Sequence, residues 1–522
     1  GMSLLLLLQL LSFLYTKAAY PPQKVMHTLS PLTPPPGLKP FSGFTAARAW
    51  GSVDKRPAAL EFLYIPVNAV VIGKDVYDWS TVFEVALAAA AYQHRHVIVR
   101  FYLDYPGKAN GVPQYLIDAG LSMNTYTEYG GGTSVNYFDP DLIDFLVSFI
   151  SNFGIKYDQD KRLGFVQCGV LGFWGEWHTY PHKAWFPPLS TQNRIFDAYI
   201  AAFPTAMLLQ RYPSTGGTSN RPRLGLFDDS FCYSTTSQKT WLAWYFWPQV
   251  VSVGQPHFWQ IAAMGGELRP ELQNKIFATD RSQYIVGDEK QAWNETVDGT
   301  HASWMLNNFA FSGTPNSDTE EKRVTNVAEQ RMGYNYWLAS VSTFMAMDVT
   351  HNNVRMTLIA NVSNRGVAPF YYPLTMKVQL QPSKLTKIID VPALILPGSL
   401  HQVSIVTSFL ISREDKPTSS VEFSLLCERC YAERPVLLGN VGTNWTTGVL
   451  EIQVPTTDTS ATSTSPSSTL RLIDTVRPDG EIDQADAFED KGTDVAMNSG
   501  HNNRRRMASV VVLVLGAVWF VM

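Results

Sequence analysis

The sequence predicts an α/β architecture: a (β/α)8 barrel of the TIM type followed by an all-β sandwich. Three observations carry this expectation. Short apolar runs alternate with helix-patterned segments as far as about residue 343. Polar residues collect just past the ends of those runs, at Asp104, Glu176, Arg211, Asp229, Glu267 and Asn307, and in a barrel of parallel strands that face carries the active site. From about Phe344 the apolar period changes to two, in runs such as Val354, Met356, Leu358, Ala360 and Val362, as a half-buried antiparallel sheet requires. A doubly wound sheet would gather polar residues at the same strand ends, but the chain has no glycine-rich phosphate loop. Fewer than eight strands stand out, so closure of the barrel is inferred from the pattern.

Taken in order, residues 1–18 hold an almost unbroken apolar run, Leu4 to Leu14, before small residues around Ala18, the pattern of a secretory signal peptide. Residues 19–45 are a proline-rich, extended lead-in. The barrel is assigned to 46–343. Leu60 to Val71 is its first clear strand and the alanine-rich Trp79 to His94 its first helix. His96 to Leu103 is a second buried strand with Arg100 in its middle. An arginine there needs a partner, because burying it alone is costly. A loop over 104–138 leads to Asp139-Pro140, an N-cap with proline at the first helical position, which opens a helix through Phe153. The central strand spans 164–173. A helix from Gln192 to Phe203 follows, then strands Ala206 to Gln210, Leu224 to Phe227, Phe258 to Met264 and Ser303 to Leu306. The sandwich covers 344–455. Residues 456–506, Ser/Thr-rich and then polar, form a disordered stalk, and 507–522 is an apolar tail.

The stretch from Gly164 to His178 organises the barrel. Its first half is apolar and bounded by glycines, which suits a strand buried on both faces. Its second half sets Glu176 between Trp174 and Trp177, with His178 two residues on. Indoles stack on the apolar faces of pyranose rings, and an apolar wall raises a carboxyl pKa so that it holds a proton near neutrality. The bland alternative is that Glu176 only bridges backbone groups while the tryptophans are core.

Ends and composition bound the setting. A net charge of −4 without a long basic run gives no reason to expect nucleic acid. Asn498-Ser499-Gly500, then Arg504 to Arg506 and the apolar tail, match a glycolipid-anchor signal with Asn498 as the attachment residue; a membrane-spanning tail is the alternative. Either places the protein outside the cell, on a membrane surface. Sequons at Asn294, Asn361 and Asn444 agree with export, and Asn361 falls on the outward phase of its strand. Cys427 and Cys430 are expected to form a local disulfide and Cys168 to be a buried thiol.

The motif order resembles an uncharacterised family of secreted proteins. The residues carrying the resemblance are Arg100–Asp104, Gly172–His178, Arg211–Pro213, Leu224–Asp229, Gly265–Glu267 and Met332–Tyr334. That family pairs a glycosidase-like (β/α)8 barrel, made of two adjacent domains of unknown function, with a C-terminal β-sandwich. The resemblance covers roughly residues 40–450 and implies the fold more strongly than the function. Two positions depart from it: Asp228 stands where the family tends to have Asn, and Asn335 where it tends to have Arg.

Glycoside cleavage needs two carboxyls flanking the bond, one protonated and one ionised. Glu176 is the candidate acid, Glu267 the candidate nucleophile or base, and Asp229 the reserve. Arg100 and Arg211 are candidates to keep a carboxylate ionised and to bind sugar hydroxyls, as is His178, with Asp104, Trp174 and Trp177 completing the carbohydrate site. No cofactor and no metal is expected. A carbohydrate-binding or adhesion protein without turnover is the rival reading, given Trp174, Trp177, Trp185, Trp259 and the run Trp241 to Trp247. A metal site from Glu176, His178 and His182 is weaker, and a Ser–His–Asp site lacks its Gly-x-Ser-x-Gly elbow.

Overall fold

The computed structural model describes residues 23–454, apart from 52, 214–223, 237–244, 278–290, 313–318, 349–350, 392–393, 399–400 and 416. The expected signal peptide, stalk, tail, Asn498 and Trp241 lie outside the described residues. Among the described residues, no helix is long and apolar enough to cross a membrane.

Eight parallel strands follow one another around a barrel: β1 Gly43–Thr45, β2 Leu60–Pro66, β3 His96–Tyr102, β4 Leu163–Gln167, β5 Met207–Gln210, β6 Leu224–Phe231, β7 Met264–Leu268 and β8 Trp304–Leu306. Strand β8 pairs with β1 through Trp304 and Gly43. The ring closes where Ala47, just past β1, bridges in parallel to Phe62 on β2. The fold class read from the sequence therefore holds.

Outside the strands lie α1 Val85–Tyr92, α2 Pro140–Tyr157, α3 Leu189–Ala202, α4 Phe246–Ser252, α5 Trp293–Thr300 and α6 Thr319–Arg331. Among the described residues, the β1–β2 and β5–β6 links carry no α-helix. Helix α2 begins where the Asp-Pro pair places it. The Asp139 carboxylate accepts from the N–H groups of Asp141 (2.9 Å) and Leu142 (3.3 Å), and the helix runs four residues past the expected end.

Period-two alternation sets what the strands carry inward. On β3, Val97, Val99 and Phe101 pack outward, and Phe101 meets Phe149 and Phe153 of α2 at 5.1 Å each. Ile98 and Arg100 therefore point into the barrel. Its interior is filled by Phe62, Ile98, Phe165, Leu209, Phe227 and Trp304. A β-carbon on Gly265 would lie 2.0 Å from the Trp304 indole, so only glycine at that position of β7 admits the ring.

Strand boundaries differ from the sequence reading at β2, which ends at Pro66 rather than Val71, at β6, which runs on to Phe231, and in three further places. The Pro-rich lead-in contains β1, a three-residue strand too short to leave a periodic signal. The central strand ends at Gln167 rather than residue 173, because a run of left-handed residues follows it. Phe258–Gln260 is a single helical turn, and the strand begins at Met264, taking Gly265, Gly266 and Glu267 into the sheet.

The sandwich joins two four-stranded antiparallel sheets. One orders the N-terminal strand Gln23–Thr28 beside β9 Tyr336–Asp348, β10 Asn353–Asn364 and β13 Val403–Ser412. The other orders β12 Thr386–Asp390, β11 Thr375–Gln381, β14 Ser420–Leu426 and β15 Leu450–Gln453. Its core is continuous with the barrel interior, and it covers the N-terminal ends of the strands. Tyr372 donates its hydroxyl to Gly164 O at 2.7 Å. Arg429 donates to the carbonyls of Asp158 (3.1 Å), Asp160 (3.0 Å) and Leu163 (2.9 Å). Phe41 stacks on His96 at 4.0 Å and meets Tyr372 at 4.7 Å.

Asn361 does face outward on β10, where its amide donates to Ser340 Oγ (2.9 Å) and accepts from Ser404 Oγ (2.7 Å). Cys168 is a buried thiol. Cys427 and Cys430 are not the expected disulfide but thiols in hydrogen-bonding contact across one turn.

Candidate active site

Arg100 is the centre of the polar cluster at the C-terminal mouth of the barrel. It is 1% exposed. Its Nε donates to Gln167 Oε1 (2.6 Å), Nη1 to Tyr64 Oη (2.6 Å), and Nη2 to Asp229 Oδ2 (2.6 Å), while Nη1 lies 3.3 Å from Glu176 Oε1. The partners come from three strands, β2 (Tyr64), β4 and the loop after it (Gln167 and Glu176) and β6 (Asp229), so the barrel converges them on one guanidinium. Aromatic faces of Tyr64 and Phe227 lie 4.8 and 4.7 Å from its central carbon, a desolvated setting where cation and π face attract.

Glu176 reaches this cation by an unusual path. Val170, Gly172, Trp174, Gly175 and Trp177 all have positive φ, which non-glycine residues adopt at a cost. Interlocking backbone bonds enforce the path: Glu176 N–H to Phe173 O (2.8 Å), Trp177 N–H to Leu171 O (2.9 Å) and Phe173 N–H to His178 O (2.8 Å). The loop is fastened to β3 by Val170 N–H to Phe101 O (2.9 Å). A β-carbon on Gly172 would meet the His178 backbone at 2.4 Å, so the motif glycine permits this close approach.

The environment orders the protons differently from the sequence reading. Burial pushes the Glu176 carboxyl up, but His178, Arg100 and Arg211 together outweigh it and bring it down to about 2. Its Oε2 lies 3.6 Å from His178 Nε2. Tyr180 N–H donates to His178 Nδ1 at 3.3 Å, which leaves the ring proton on Nε2, facing the carboxylate. Glu267 moves the other way. Burial first, then the negative charges of Asp229 and Glu176, push it well above the ordinary carboxyl range against the opposing influence of Arg100. It accepts a hydrogen bond from Gln273 Nε2 at 3.3 Å. Asp229 is raised to about 6, chiefly by burial, with Arg100 opposing. The two shifts run opposite to the sequence reading, Glu176 down and Glu267 up. The physical reason is the position of Arg100 and His178 beside Glu176.

Arg211 sits at the same mouth, 3.2 Å from Asp228 Oδ1. Asp228 also accepts from Thr235 Oγ1 at 2.7 Å.

Two expected contacts fall away. Trp177 is 4% exposed, stacked on Phe196 of α3 at 4.1 Å, and its indole N–H donates to Cys168 O. It is a peg for the loop, not a sugar platform. Asp104 is buried and accepts from Tyr126 Oη at 2.5 Å. Burial raises its carboxyl to about 6, and it braces the loops rather than joining the cluster. Among the rival aromatics, Trp259 stacks on His301 at 3.4 Å and its carbonyl accepts from Tyr371 of the sandwich side. His182 turns to Glu128 (3.0 Å), so Glu176, His178 and His182 do not converge on a metal. Among the described residues, no group of three potential ligands stands together. Asn335 lies at the barrel–sandwich junction, where its N–H donates to Asn364 Oδ1 (2.9 Å), and so does not bear on the cluster.

Tyr64, Gln167 and Gln273 were not singled out from the sequence. Tyr64 and Gln167 share a signal that was available, a polar group on the inward phase near the end of an apolar strand. Gln273 arrives from a loop and leaves none.

No family model matches the chain, and no curated protein matches it. Among solved structures the chain is similar to endo-glycoceramidase II from Rhodococcus sp. as a lactosyl-enzyme intermediate, at 9% identity and a TM-score of 0.31 over 72% of this chain and 100% of that one. It is similar to xylanase 10B from Thermotoga petrophila RKU-1 in complex with xylobiose, at 11% identity and a TM-score of 0.28 over 51% of this chain and 80% of that one. It is similar also to the GH36 α-galactosidase AgaA from Geobacillus stearothermophilus, at 8% identity and a TM-score of 0.31 over 68% of this chain and 51% of that one. At such scores the barrel assignment rests on the closed strand order itself.

Proposed function

We propose that this protein hydrolyses O-glycosidic bonds at the C-terminal mouth of its barrel, with Glu267 as general acid and Glu176 as nucleophile or general base. The observation that carries the reading is a pair of carboxyls on one mouth, Glu267 buried and Glu176 partly so, whose environments drive them in opposite directions, Glu176 down and Glu267 up. Such a split assigns acid and base roles at one pH. In the reaction, Glu267 gives its proton to the leaving oxygen as the bond to the anomeric carbon breaks. Glu176 either deprotonates the water that attacks that carbon, or attacks it to give a glycosyl ester that water then hydrolyses while the now ionised Glu267 takes the water's proton. Arg100 holds Glu176 and Asp229 as anions, so the negative charge needed beside an oxocarbenium-like transition state is in place before substrate arrives.

The rival reading, carbohydrate binding without turnover, needs the second carboxyl to be engaged by a cation. Asp229 is so engaged, whereas among the described residues Glu267 accepts from the Gln273 amide and pairs with no cation, which favours catalysis. The family reading, the outer-surface location, the glycolipid anchor at Asn498 and glycans on Asn294, Asn361 and Asn444 belong to the same proposal and rest on the sequence. Release of the protein from cells by a phosphatidylinositol-specific phospholipase would test the anchor.

The activity is tested by an oligosaccharide-hydrolysis screen of the wild type beside Glu176→Gln and Glu267→Gln. Turnover by wild type that each substitution lowers by about 10²-fold or more supports the assignment. Turnover that survives both substitutions overturns it, and binding by all three without hydrolysis points to the lectin-like alternative.

A further inference from the structure

Two walls of the mouth, the loop after β3 and the loop after β4, are tied together at several points. Trp174 N–H donates to Asp104 O at 2.9 Å, and Asp104 bridges Phe173. The Tyr126 ring lies 4.5 Å from Phe173. Glu128 meets His182 at 3.0 Å, and His182 stacks on Trp185 at 3.9 Å and 7°. On this support stand aromatic side chains turned to solvent. Tyr129 is 50% exposed and Tyr180 is 57% exposed, with Trp174 partly exposed between the walls. Tyr129 and Trp174 have φ of 55° and 54°. A left-handed backbone is costly for an aromatic residue, and the Tyr129 ring nevertheless stays half exposed. The rings form a path: Tyr129 to Trp174 at 5.2 Å, Trp174 to His178 at 5.8 Å, and His178 to Glu176 at 3.6 Å.

From this we propose that Tyr129, Trp174 and Tyr180 form a sugar-binding subsite that seats the part of a neutral polysaccharide lying beyond the scissile bond, an inference that rests on the hydrolase reading for its substrate class. Aromatic faces match the C–H faces of pyranose rings. The Glu128–His182 pair borders the rings and offers hydrogen bonds to hydroxyls, and the Glu128 carboxylate opposes an acidic chain. Fixing the rings before binding lowers the ordering cost that weakly held sugars otherwise incur. The substrate is therefore longer than a disaccharide.

Calorimetric titration of the full-length Glu267→Gln protein with di- to hexasaccharides of β-1,4-glucan, β-1,3-glucan, xylan, mannan and chitin tests this. Affinity for at least one series should rise with chain length. Tyr129→Ala and Tyr180→Ala should each remove about tenfold of the hexasaccharide affinity, and Tyr129→Phe, which keeps the ring, should retain it. In the active protein the same alanine changes should lower kcat/KM for hexasaccharide over disaccharide about tenfold through KM. Length-dependent binding that Tyr129→Ala abolishes, in a protein with no turnover, supports the subsite and overturns the hydrolase reading. Turnover without length dependence does the reverse. Alanine variants that bind hexasaccharide like their parent, or no binding by any series, overturn the subsite.

Discussion

Replacing Arg100 with methionine probes the site most directly. Methionine keeps much of the packing against Tyr64 and Phe227 but removes the charge that Asp229 and Glu176 share. Removing one partner of a buried ion pair typically costs about 3–5 kcal/mol. The loss has a sign in pH. In the wild type the Glu176 carboxyl is brought down to about 2 from 4.5, so its stabilisation is present above 4.5 and is lost as pH falls through 2. Without Arg100 that carboxyl rises, and Asp229, already raised to about 6, rises further. Groups raised in the fold favour it while protonated and lose that contribution as pH climbs through the folded value. The deficit of the variant should therefore be about 4 kcal/mol near pH 8 and about half that near pH 4.5. Urea unfolding followed by tryptophan fluorescence at both pH values measures it. A deficit below about 1 kcal/mol, or one equal at both pH values, would refute the view that Arg100 neutralises two buried anions.

Other outcomes follow from the same geometry. The alkaline limb of the kcat/KM profile should belong to Glu267, with activity falling as pH rises through its raised value; Glu267→Gln should remove that limb while lowering kcat by about 10²–10⁴-fold. Asp104→Asn should stabilise the fold near pH 7.5 by about 2–3 kcal/mol. The wild-type carboxyl, raised to about 6, helps the fold below 3.8 and loses that help by 6, so thermal melts across that range should show the variant with the flatter dependence. Asp139→Ala should cost about 1 kcal/mol in urea melts through loss of the α2 N-cap. Arg429→Ala leaves three barrel carbonyls without their donor and should cost about 2–4 kcal/mol, read by differential scanning calorimetry.

The fold was legible because strand ends and helix starts carry local chemistry. Asp139-Pro140 marked α2, and the inward phase of β3 forced a question about Arg100 that three strands answer. The sandwich announced itself through alternation in β10. The first barrel strand did not, because three residues have no period, and Gly265-Gly266 read as a turn because nothing local foretells that Trp304 needs the space. The site was legible as a set of residue types but not as a set of proton positions. Trp174 and Trp177 flank Glu176 in sequence, yet the left-handed backbone sends Trp177 into α3 and brings Glu176 to a cation seventy-six residues earlier in the chain. Whether a carboxyl gains or loses its proton depends on such three-dimensional neighbours, which spacing does not encode.

The sandwich that covers the barrel's lower end also constrains how the chain is made. Gln23–Thr28 finds its partners only in β9, in a register that sets Gln23 opposite Met345. During synthesis these residues must wait for the whole barrel to emerge before they can pair, and the aromatic floor of Phe41, Phe165 and Trp304 stays uncovered until Phe370 and Tyr372 arrive. Long-range pairing of this kind slows folding and prolongs exposure of sticky surface. Truncation after the barrel would make that vulnerable intermediate permanent, so the yield of folded protein should depend on the sandwich even though every group assigned to chemistry lies at the opposite end.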